Sequence, residues 1–301
     1  MIPAMVLCAG FGTRLRPITD SIPKPLLPVG DRAAFLHVVE WIESAGFGPV
    51  VMNTHHRADA FDGRVPRSVR LVHEADRILG TAGGLANAAA ILGEGEVLVW
   101  NGDVAAQPDL GALLGSHRKQ LRPTVASLLA ARRACGEGTL GVDESGGVVR
   151  LRGETFGHEI SGADFLGIQI VGERGRELLP IEGCLVGDVY LPALRRGERV
   201  AVAWHDGDWV DIGSPRALLE ANLRWLRKRG LDAWIEPGAQ LGPGVSVRES
   251  VVCEGASVSG SGAIEQCLVL PGATVQAPAA RLIALGARQT IAVDSASPGA
   301  R

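Results

Sequence analysis

The 301-residue sequence predicts an α/β protein with a mostly parallel sheet and helices on both faces, followed by a short left-handed β-helix. Short apolar runs alternate with helical patterns in the first half of the chain, as expected for parallel strands joined by crossover helices. After about residue 230, aliphatic residues recur every six positions with glycine-rich turns between them, which is typical of a hexapeptide β-helix.

The predicted strands are short apolar runs, at residues 4–8, 50–53, 69–73, 97–100, 163–171, 200–204 and 209–212. Apolar residues at helical spacing predict helices over residues 35–42, 85–92 and 215–229. Ser214 is the expected N-cap of the last helix, Pro215 its first residue and Gly230 its stop. Residues 139–143 and 148–151 predict a hairpin. This order indicates a Rossmann-like sheet that binds ligands beyond the carboxyl ends of its strands.

The predicted domains are a catalytic domain of residues 1–230, a β-helix of residues 231–291 and a frayed tail of residues 292–301. The β-helix prediction rests on seven aliphatic guide positions, Ile235, Leu241, Val247, Val252, Val258, Ile264 and Leu270. Repeats of this kind each contact only their neighbours, so the segment is expected to stack as coils.

Composition restricts the class of protein. The net charge of −3 disfavours a broad nucleic-acid-binding surface, and no apolar run reaches membrane-spanning length. The apolar start of the chain lacks a basic region and leads directly into a glycine loop, so it predicts a buried strand and not a signal peptide. Five scattered cysteines without a C-x-x-C pair indicate reduced thiols in a cytoplasmic protein.

Two short motifs carry the chemistry. Residues 7–17, LCAGFGTRLRP, follow the first predicted strand, and their glycines let backbone N–H groups approach phosphate oxygens beside Arg14. Leu15 occupies the place of the third glycine of a dinucleotide fingerprint, and no Gly-Lys-Ser/Thr of a Walker loop follows. Residues 23–28, PKPLLP, place Lys24 between prolines, on stiff backbone that suits a fixed ammonium group.

Together these motifs resemble the sugar-1-phosphate nucleotidyltransferase (nucleotide-sugar pyrophosphorylase) family, which opens with L-x-A-G-x-G-T-R-L-x-P and P-K-P-L-x-P. Further matches follow in the family's order: Glu74 with LGTAGG at residues 79–84, NGD at 101–103 and WVDIGSP at 209–215. The resemblance spans about residues 2–229, and the C-terminal repeats resemble those of mannose-1-phosphate guanylyltransferases. It implies nucleotidyl transfer from a nucleoside triphosphate to a sugar 1-phosphate, with release of pyrophosphate.

The resemblance also implies residue roles. Arg14 and Lys24 would stabilise negative charge on the reacting phosphates, and Asp103 and Asp211 would bind Mg²⁺ as cofactor. The implied nucleotide contacts are Ala9, Gly10, Gly12, Thr13, Glu74, Gly80, Thr81 and Gly83. The implied sugar-phosphate contacts are Asn101, Gly102, Gly141, Arg152, Glu154 and Gly167.

One departure concerns the sugar. Many family members carry Glu-Lys-Pro, whose lysine meets the sugar phosphate, whereas residues 150–155 read RLRGET. Arg152 is the candidate substitute, although a guanidinium fork and an ammonium bind phosphate differently. The branch that activates N-acetylmuramic acid 1-phosphate lacks the same lysine. GTP with mannose 1-phosphate is favoured, and UTP or dTTP with glucose 1-phosphate or N-acetylmuramic acid 1-phosphate are the alternatives.

Two other classes of protein fit the sequence less well. Acyl transfer by a β-helix usually needs a histidine base, and all seven histidines lie at or before His205. The repeats are therefore expected to be structural or to form an assembly surface between copies of the chain. A non-catalytic nucleotide-sugar-binding regulatory subunit is disfavoured, because Arg14, Lys24, Asp103 and Asp211 are all retained.

Overall fold

A computed structural model describes residues 1–120, 122–287 and 289–294. The chain divides into two compact units. The first unit consists of Met1–Phe11 and Phe35–Trp209, and the second joins Gly12–Ala34 to the residues from Val210 onward. Residues 12–34, which contain the end of the first short motif and all of the second, belong to the same unit as residues 215–229 and the C-terminal strands. The domain boundary after residue 230 stays a prediction.

The strands in chain order are β1 (Ala4–Leu7), β2 (Pro28–Val29), β3 (Arg32–Ala33), β4 (Val50–Thr54), β5 (Val69–His73), β6 (Val97–Asn101), β7 (Val104–Ala106), β8 (Thr124–Arg133), β9 (Leu140–Val142), β10 (Val148–Leu151), β11 (Glu154–Thr155), β12 (Ser161–Val171), β13 (Arg199–Trp204), β14 (Trp209–Asp211), β15 (Ala233–Ile235), β16 (Gln240–Leu241), β17 (Val245–Arg248), β18 (Ser250–Val252), β19 (Ser257–Glu265), β20 (Leu268–Val269), β21 (Thr274–Ala280), β22 (Leu282–Leu285) and β23 (Gln289–Ala292). All strands predicted for the sheet are present within a residue or two of their expected bounds.

The α-helices in chain order are α1 (Ile18–Ser21), α2 (Ala34–Ser44), α3 (Gly80–Asn87), α4 (Ala89–Leu92), α5 (Leu110–Arg118), α6 (Glu173–Glu177), α7 (Leu191–Arg195) and α8 (Pro215–Arg229). Short 3₁₀ turns occur at Thr13–Leu15, Lys24–Leu26 and Ala58–Phe61, and a π-helix at Leu185–Tyr190. In the described ranges, no helix is both long and apolar enough to cross a membrane.

The large sheet of the first unit has the order β11-β10-β9-β12-β6-β1-β4-β5, with β8 joined to both β12 and β13. Strands β6, β1, β4 and β5 run parallel, β8 and β13 run parallel, and β12 runs antiparallel to β6 and β8. The prediction of a mixed α/β fold with a parallel-rich sheet is confirmed. Strand β8, ten residues long and mostly buried, was not predicted from the sequence.

The register of the central strands places three polar segments at one edge of the sheet. Leu7, the last residue of β1, lies opposite Asn53 of β4 on one side and opposite Asn101 of β6 on the other. The Cys8 loop and the Asn101-Gly102-Asp103 turn therefore leave the sheet from the same carboxyl edge. This is the edge at which ligands bind in open α/β sheets.

Strands β15 to β22 of the second unit pair in parallel with partners about three six-residue repeats away along the chain, and β23 runs antiparallel to β22. Val251 pairs with Leu268, and Ser257 pairs with Thr274. The later guide residues Val252, Val258, Ile264 and Leu270 are buried, whereas the first two are exposed by 42% and 40%. Parallel stacking of the repeats is therefore present, and a left-handed winding stays a prediction. Of the predicted tail, Val293 is buried and its N–H bonds to Arg281 O, while residues 295–301 lie outside the described residues.

Helix α8 has the predicted caps and packs within the second unit. The Ser214 hydroxyl accepts a hydrogen bond from Ala217 N at 3.2 Å, and Gly230 ends the helix in the left-handed conformation. Its buried face contacts β2, β18 and β22, so α8 joins the proline-rich segment to the C-terminal strands.

Candidate active site

The glycine loop of the first unit is held by buried side chains at the carboxyl edge of the sheet. Asn53 Oδ1 accepts from Cys8 N at 2.8 Å, and Asn53 Nδ2 donates to Glu74 Oε1 at 2.6 Å. Ala9 is buried, while Gly10 is exposed with no atom within 4 Å of an added Cβ. The loop backbone is therefore fixed at Cys8 and open to solvent at Gly10, as a phosphate-binding loop requires.

The predicted nucleotide segment at residues 80–84 forms the start of α3, five residues before the helix start expected from the sequence. Its first turn is anchored: Leu79 N donates to Glu74 Oε2 and Leu185 N donates to Thr81 Oγ1, both at 2.8 Å. Gly80 and Gly83 lie against the neighbouring backbone at residues 181–183. Tertiary contacts thus hold a glycine-rich sequence in a helix that local propensity disfavours.

The turn after β6 carries the predicted residues Asn101, Gly102 and Asp103. Gly102 N donates to Leu7 O at 3.0 Å, and Gly167 of β12 lies against the Asn101 side chain. Asp103 is half-buried. Burial, with a smaller contribution from the charge of Asp103, raises the pKa of the Cys8 thiol well above its ordinary value. Cys8 is therefore a neutral thiol and not a nucleophile.

The hairpin β9–β11 places the remaining predicted sugar-phosphate residues. Gly141 lies against Glu159 and Arg150, which form a partly buried ion pair at 2.7 Å. The hydrogen bond from Arg150 lowers the pKa of the Glu159 carboxyl. Both Glu154 carboxylate oxygens are bound by the Arg195 guanidinium. The predicted sugar-phosphate residue Glu154 is therefore already paired with Arg195.

Arg152 differs from Arg150 and Arg195 in having no carboxylate partner. Its guanidinium packs on Gly187 of the π-helix, and its Nη2 lies 3.6 Å from Cys184 Sγ. In the described residues no carboxylate lies within ion-pair distance of it. The backbone at Arg152 has a φ of +50°, which is unusual for a residue other than glycine. An exposed guanidinium without an anionic partner is suited to binding a phosphate group.

The second unit brings together three predicted site residues. Arg14 Nη2 lies 3.5 Å from Asp211 Oδ2, and Lys24 Nζ lies 3.5 Å from Asp211 Oδ1. The Arg14 side chain is 71% exposed, whereas that of Lys24 is 11% exposed. Two cations thus face one carboxylate from segments almost two hundred residues apart. The exposed Arg14–Asp211 pair adds at most about 1 kcal/mol of stability.

Local packing fixes both cations. The Thr19 hydroxyl donates to Gly12 O at 2.9 Å, and Gly12 lies against Thr19 and the Lys24 Cβ. The neighbouring Thr13 begins the 3₁₀ turn that contains Arg14. The Arg14 guanidinium lies so close to Gly213 that a Cβ there would be 2.7 Å from Nη2. Gly213 is therefore required for the observed position of Arg14.

Four residues that contact predicted site residues were not predicted from the sequence. Asn53 and Thr19 hydrogen-bond the glycine loop, and Arg150 and Glu159 pack against Gly141. Asn53 is an amide at the end of an apolar strand, a position at which a buried polar side chain usually has a specific partner. The other three become meaningful only when the fold brings their partners beside them.

A metal ion would depend on the substrate for part of its coordination. In the described part of the chain, no group of three or more His, Cys, Asp or Glu side chains is arranged to hold a metal. Asp211 offers exposed hard oxygen atoms, which suit Mg²⁺, an ion that usually takes one or two carboxylates together with substrate phosphates and water. The donor set therefore fits Mg²⁺ bound with a nucleotide.

Comparison with known proteins agrees with this arrangement. The family model described as "Nucleotidyl transferase" matches residues 3–151. The N-acetylmuramate alpha-1-phosphate uridylyltransferase of Caulobacter vibrioides is 30% identical in an alignment of 245 positions that covers 73% of this chain and 96% of that protein. The chain belongs to the sugar-1-phosphate nucleotidyltransferase family.

One further relative and one solved structure match more of the chain. The mannose-1-phosphate guanylyltransferase of Mycobacterium tuberculosis is 27% identical in an alignment of 299 positions that covers 92% of this chain and 82% of that protein. Among solved structures, HddC of Yersinia pseudotuberculosis, complexed with GMP-PN, superposes with a TM-score of 0.62 at 20% identity and covers 75% of this chain and 100% of its own. The last similarity concerns the fold alone.

Proposed function

We propose that this nucleotidyltransferase transfers a guanylyl group from GTP to mannose 1-phosphate, giving GDP-mannose and pyrophosphate. The observation that carries the reaction is the convergence of Arg14 and Lys24 on Asp211. The mannose-1-phosphate guanylyltransferase of Mycobacterium tuberculosis, similar over 92% of the chain, supports the choice of base and sugar.

The reaction needs positioning and charge neutralisation and no covalent intermediate on the protein. An oxygen of the sugar phosphate attacks the α-phosphorus. The new P–O bond forms as the bond to the bridging oxygen of the β-phosphate breaks, and pyrophosphate leaves with the electron pair. Arg14 and Lys24 stabilise the charge that grows on the α-phosphoryl and leaving groups. Cys8, whose thiol is neutral, takes no part.

Mg²⁺ is proposed as the cofactor, with Asp103 and Asp211 as its protein ligands. When bound it neutralises phosphate charge and polarises the α-phosphate. The proposed nucleotide contacts are backbone groups that can approach a nucleoside triphosphate closely, at Ala9, Gly10, Gly12, Thr13, Gly80, Thr81 and Gly83. Free cysteines support the proposed cytoplasmic location.

Arg152 is the proposed anchor of the sugar phosphate. It has no carboxylate partner, whereas Glu154 is bound by Arg195, so Arg152 can take an anion without breaking an ion pair. Arg152→Ala is expected to raise the KM of the sugar 1-phosphate more than that of the nucleotide. Arg195→Ala is the matched control, and an equal effect of both changes would contradict this role.

A second candidate is uridylyl transfer to N-acetylmuramic acid 1-phosphate. The 30% identical relative from Caulobacter vibrioides bears that activity in its name, and the Glu-Lys-Pro lysine is absent here. Pyrophosphate release measured with five nucleoside triphosphates against several sugar 1-phosphates decides between the two. GTP with mannose 1-phosphate should give the highest kcat/KM. No turnover with any pair would refute the proposed reaction and favour a binding subunit.

The C-terminal repeats are proposed to wind as a left-handed β-helix and to form an interface between copies of the chain. Ile235 and Leu241, guide residues of the first coil, are exposed by 42% and 40%, so the apolar end of the stack is uncovered in one copy. Leu241→Glu is expected to lower the mass measured by light scattering after size exclusion. Gln240→Glu on the same strand is the control. A monomer in all three proteins would refute the interface.

A further inference from the structure

Two polar side chains are buried together in the first unit. Asn53 and Glu74 are each 2% exposed. Burial of a carboxylate is unfavourable unless hydrogen bonds replace its water. Both oxygens of Glu74 are bonded: Oε1 accepts from Asn53 Nδ2 at 2.6 Å, and Oε2 accepts from Leu79 N at 2.8 Å. Glu74 is therefore held by hydrogen bonds inside the protein, and its direct contact with the nucleotide stays a prediction.

Asn53 extends this pair into a chain of three hydrogen bonds. Its Oδ1 accepts from Cys8 N at 2.8 Å while its Nδ2 donates to Glu74. The chain thus runs from the start of the glycine loop, through β4, to the first turn of α3. The proposed nucleotide contacts follow directly at both ends, with Ala9 and Gly10 at one and Gly80 and Thr81 at the other.

Neighbouring contacts support the same connection. His55 Nδ1 lies 2.5 Å from Glu74 O, and the His55 ring packs edge-on against Phe11 of the glycine loop, with centroids 5.8 Å apart. A Cβ at Gly84 would lie 2.7 Å from Asn53 Nδ2 and 2.8 Å from Glu74 Oε1. Helix α3 can approach the pair this closely only because residue 84 is a glycine.

We propose that Asn53 is a positioning residue that fixes the glycine loop relative to α3 and so sets the affinity for the nucleotide. Asn53 itself touches no substrate. It acts because its amide presents an acceptor to Cys8 N and a donor to Glu74 at once. The inference rests on the proposed function for the identity of the ligand, a nucleoside triphosphate, but not for the hydrogen-bond chain.

Asn53→Asp tests the donor with little change in volume. The new oxygen would face Glu74 Oε1 at the 2.6 Å separation of the present hydrogen bond. Two ionised carboxylates at that distance repel each other, so the first turn of α3 and the Cys8 loop should separate where both are ionised. Uptake of one proton by the pair would restore the hydrogen bond, so the kinetics are measured up to pH 9. Asn87→Asp, the same chemical change at the exposed end of α3, is the matched control.

A paired variant, Asn53→Asp with Glu74→Gln, reverses the hydrogen bond and keeps the charge of the wild type. The amide introduced at position 74 donates to one oxygen of the carboxylate introduced at position 53. The other oxygen of that carboxylate accepts from Cys8 N, and the oxygen of the amide accepts from Leu79 N. All three hydrogen bonds are restored, so the paired variant should recover what the single change loses.

The readouts are the KM of each substrate, kcat, and hydrogen–deuterium exchange of peptides that contain the Cys8 and Leu79 amides. Asn53→Asp should raise the KM of the nucleoside triphosphate about tenfold, as for one lost buried hydrogen bond, with about a twofold change or less for the sugar 1-phosphate. Both amides should exchange faster. The paired variant should reverse each change, and Asn87→Asp should match the wild type.

Unchanged nucleotide KM in Asn53→Asp would overturn the proposal, as would an equal rise in both KM values that the paired variant does not reverse. If no substrate pair is turned over, exchange still decides, because faster exchange at both amides and its reversal do not depend on activity. If the paired variant does not fold, the single variant decides: exchange that rises at Leu79 but not at Cys8 would contradict coupling of the two segments.

Discussion

Gly213→Ala is expected to reduce turnover while leaving the fold intact. The added Cβ would lie 2.7 Å from Arg14 Nη2, 2.9 Å from Cζ and 3.0 Å from Nη1. Carbon–heavy-atom contacts normally settle at about 3.5–4.0 Å, so the guanidinium must move by roughly 1 Å. Because the Arg14 side chain is 71% exposed, it can move into solvent without disturbing the core.

The magnitudes of the two effects differ enough to be separated. Loss of the exposed Arg14–Asp211 pair should lower the free energy of unfolding by at most about 1 kcal/mol. A displacement of about 1 Å in a catalytic group can reduce turnover about 100-fold. This corresponds to about 2.7 kcal/mol of transition-state stabilisation. The catalytic effect should therefore exceed the effect on stability.

The assay compares kcat from pyrophosphate release with the free energy of unfolding from urea denaturation. Gly115→Ala is the control, because it also adds a Cβ to a glycine but has no atom within 4 Å in α5. Alanine is the better helix former by up to about 1 kcal/mol, so this control should be at least as stable as the wild type and fully active. Wild-type kcat in Gly213→Ala would refute the assignment of Arg14 as a positioned catalytic cation.

Two further substitutions and one labelling experiment test other parts of the structure. Ser214→Ala should lower the free energy of unfolding in urea by about 1 kcal/mol, since it removes the N-cap of α8; an unchanged midpoint would count against the cap. The hydrogen bond from Arg150 lowers the pKa of Glu159, so its stabilisation is present above the unfolded pKa of about 4.3 and is lost as pH falls below it. Glu159→Gln should flatten this acid limb of the stability curve, and an unaltered limb would refute the linkage. Iodoacetamide at pH 8 should label exposed Cys135 before Cys8, whose pKa is raised by burial, and mass spectrometry showing the reverse order would be contrary evidence.

The sequence predicts an element correctly where its cap residues and its apolar spacing indicate the same structure. Helix α8 has Ser214, Pro215 and Gly230 at the positions that caps require, and its observed bounds match the prediction. Strand β8 was missed because TVASLLAARR does not alternate between apolar and polar residues and contains good helix formers, so its sequence does not distinguish a buried strand from a buried helix. Helix α3 begins earlier than predicted because its glycines are held by contacts with distant backbone.

The candidate site residues also divide into those that local sequence indicates and those that depend on distant contacts. Arg14, Lys24 and Asp211 lie in motifs that a family resemblance can recognise, and the structure brings them together. Asn53 has no motif, since its meaning depends on Cys8 N and Glu74, which are far from it along the chain. Residues that lie in recognisable motifs can therefore be predicted from sequence, whereas the residues that hold them in place become visible only in the fold.

Helix α8 connects the C-terminal repeats to the segment that carries Lys24. Asn222 of α8 donates to Pro28 O at 3.0 Å and accepts from Gly30 N at 2.8 Å, which fixes the strand that follows the Lys24 segment. On the same helix, Trp225 packs edge-on against Trp234, at the start of the repeats, with centroids 5.6 Å apart. Helix α8 is thus held by the repeats on one side and holds the cation-bearing segment on the other. The repeats are therefore part of the scaffold that positions Lys24.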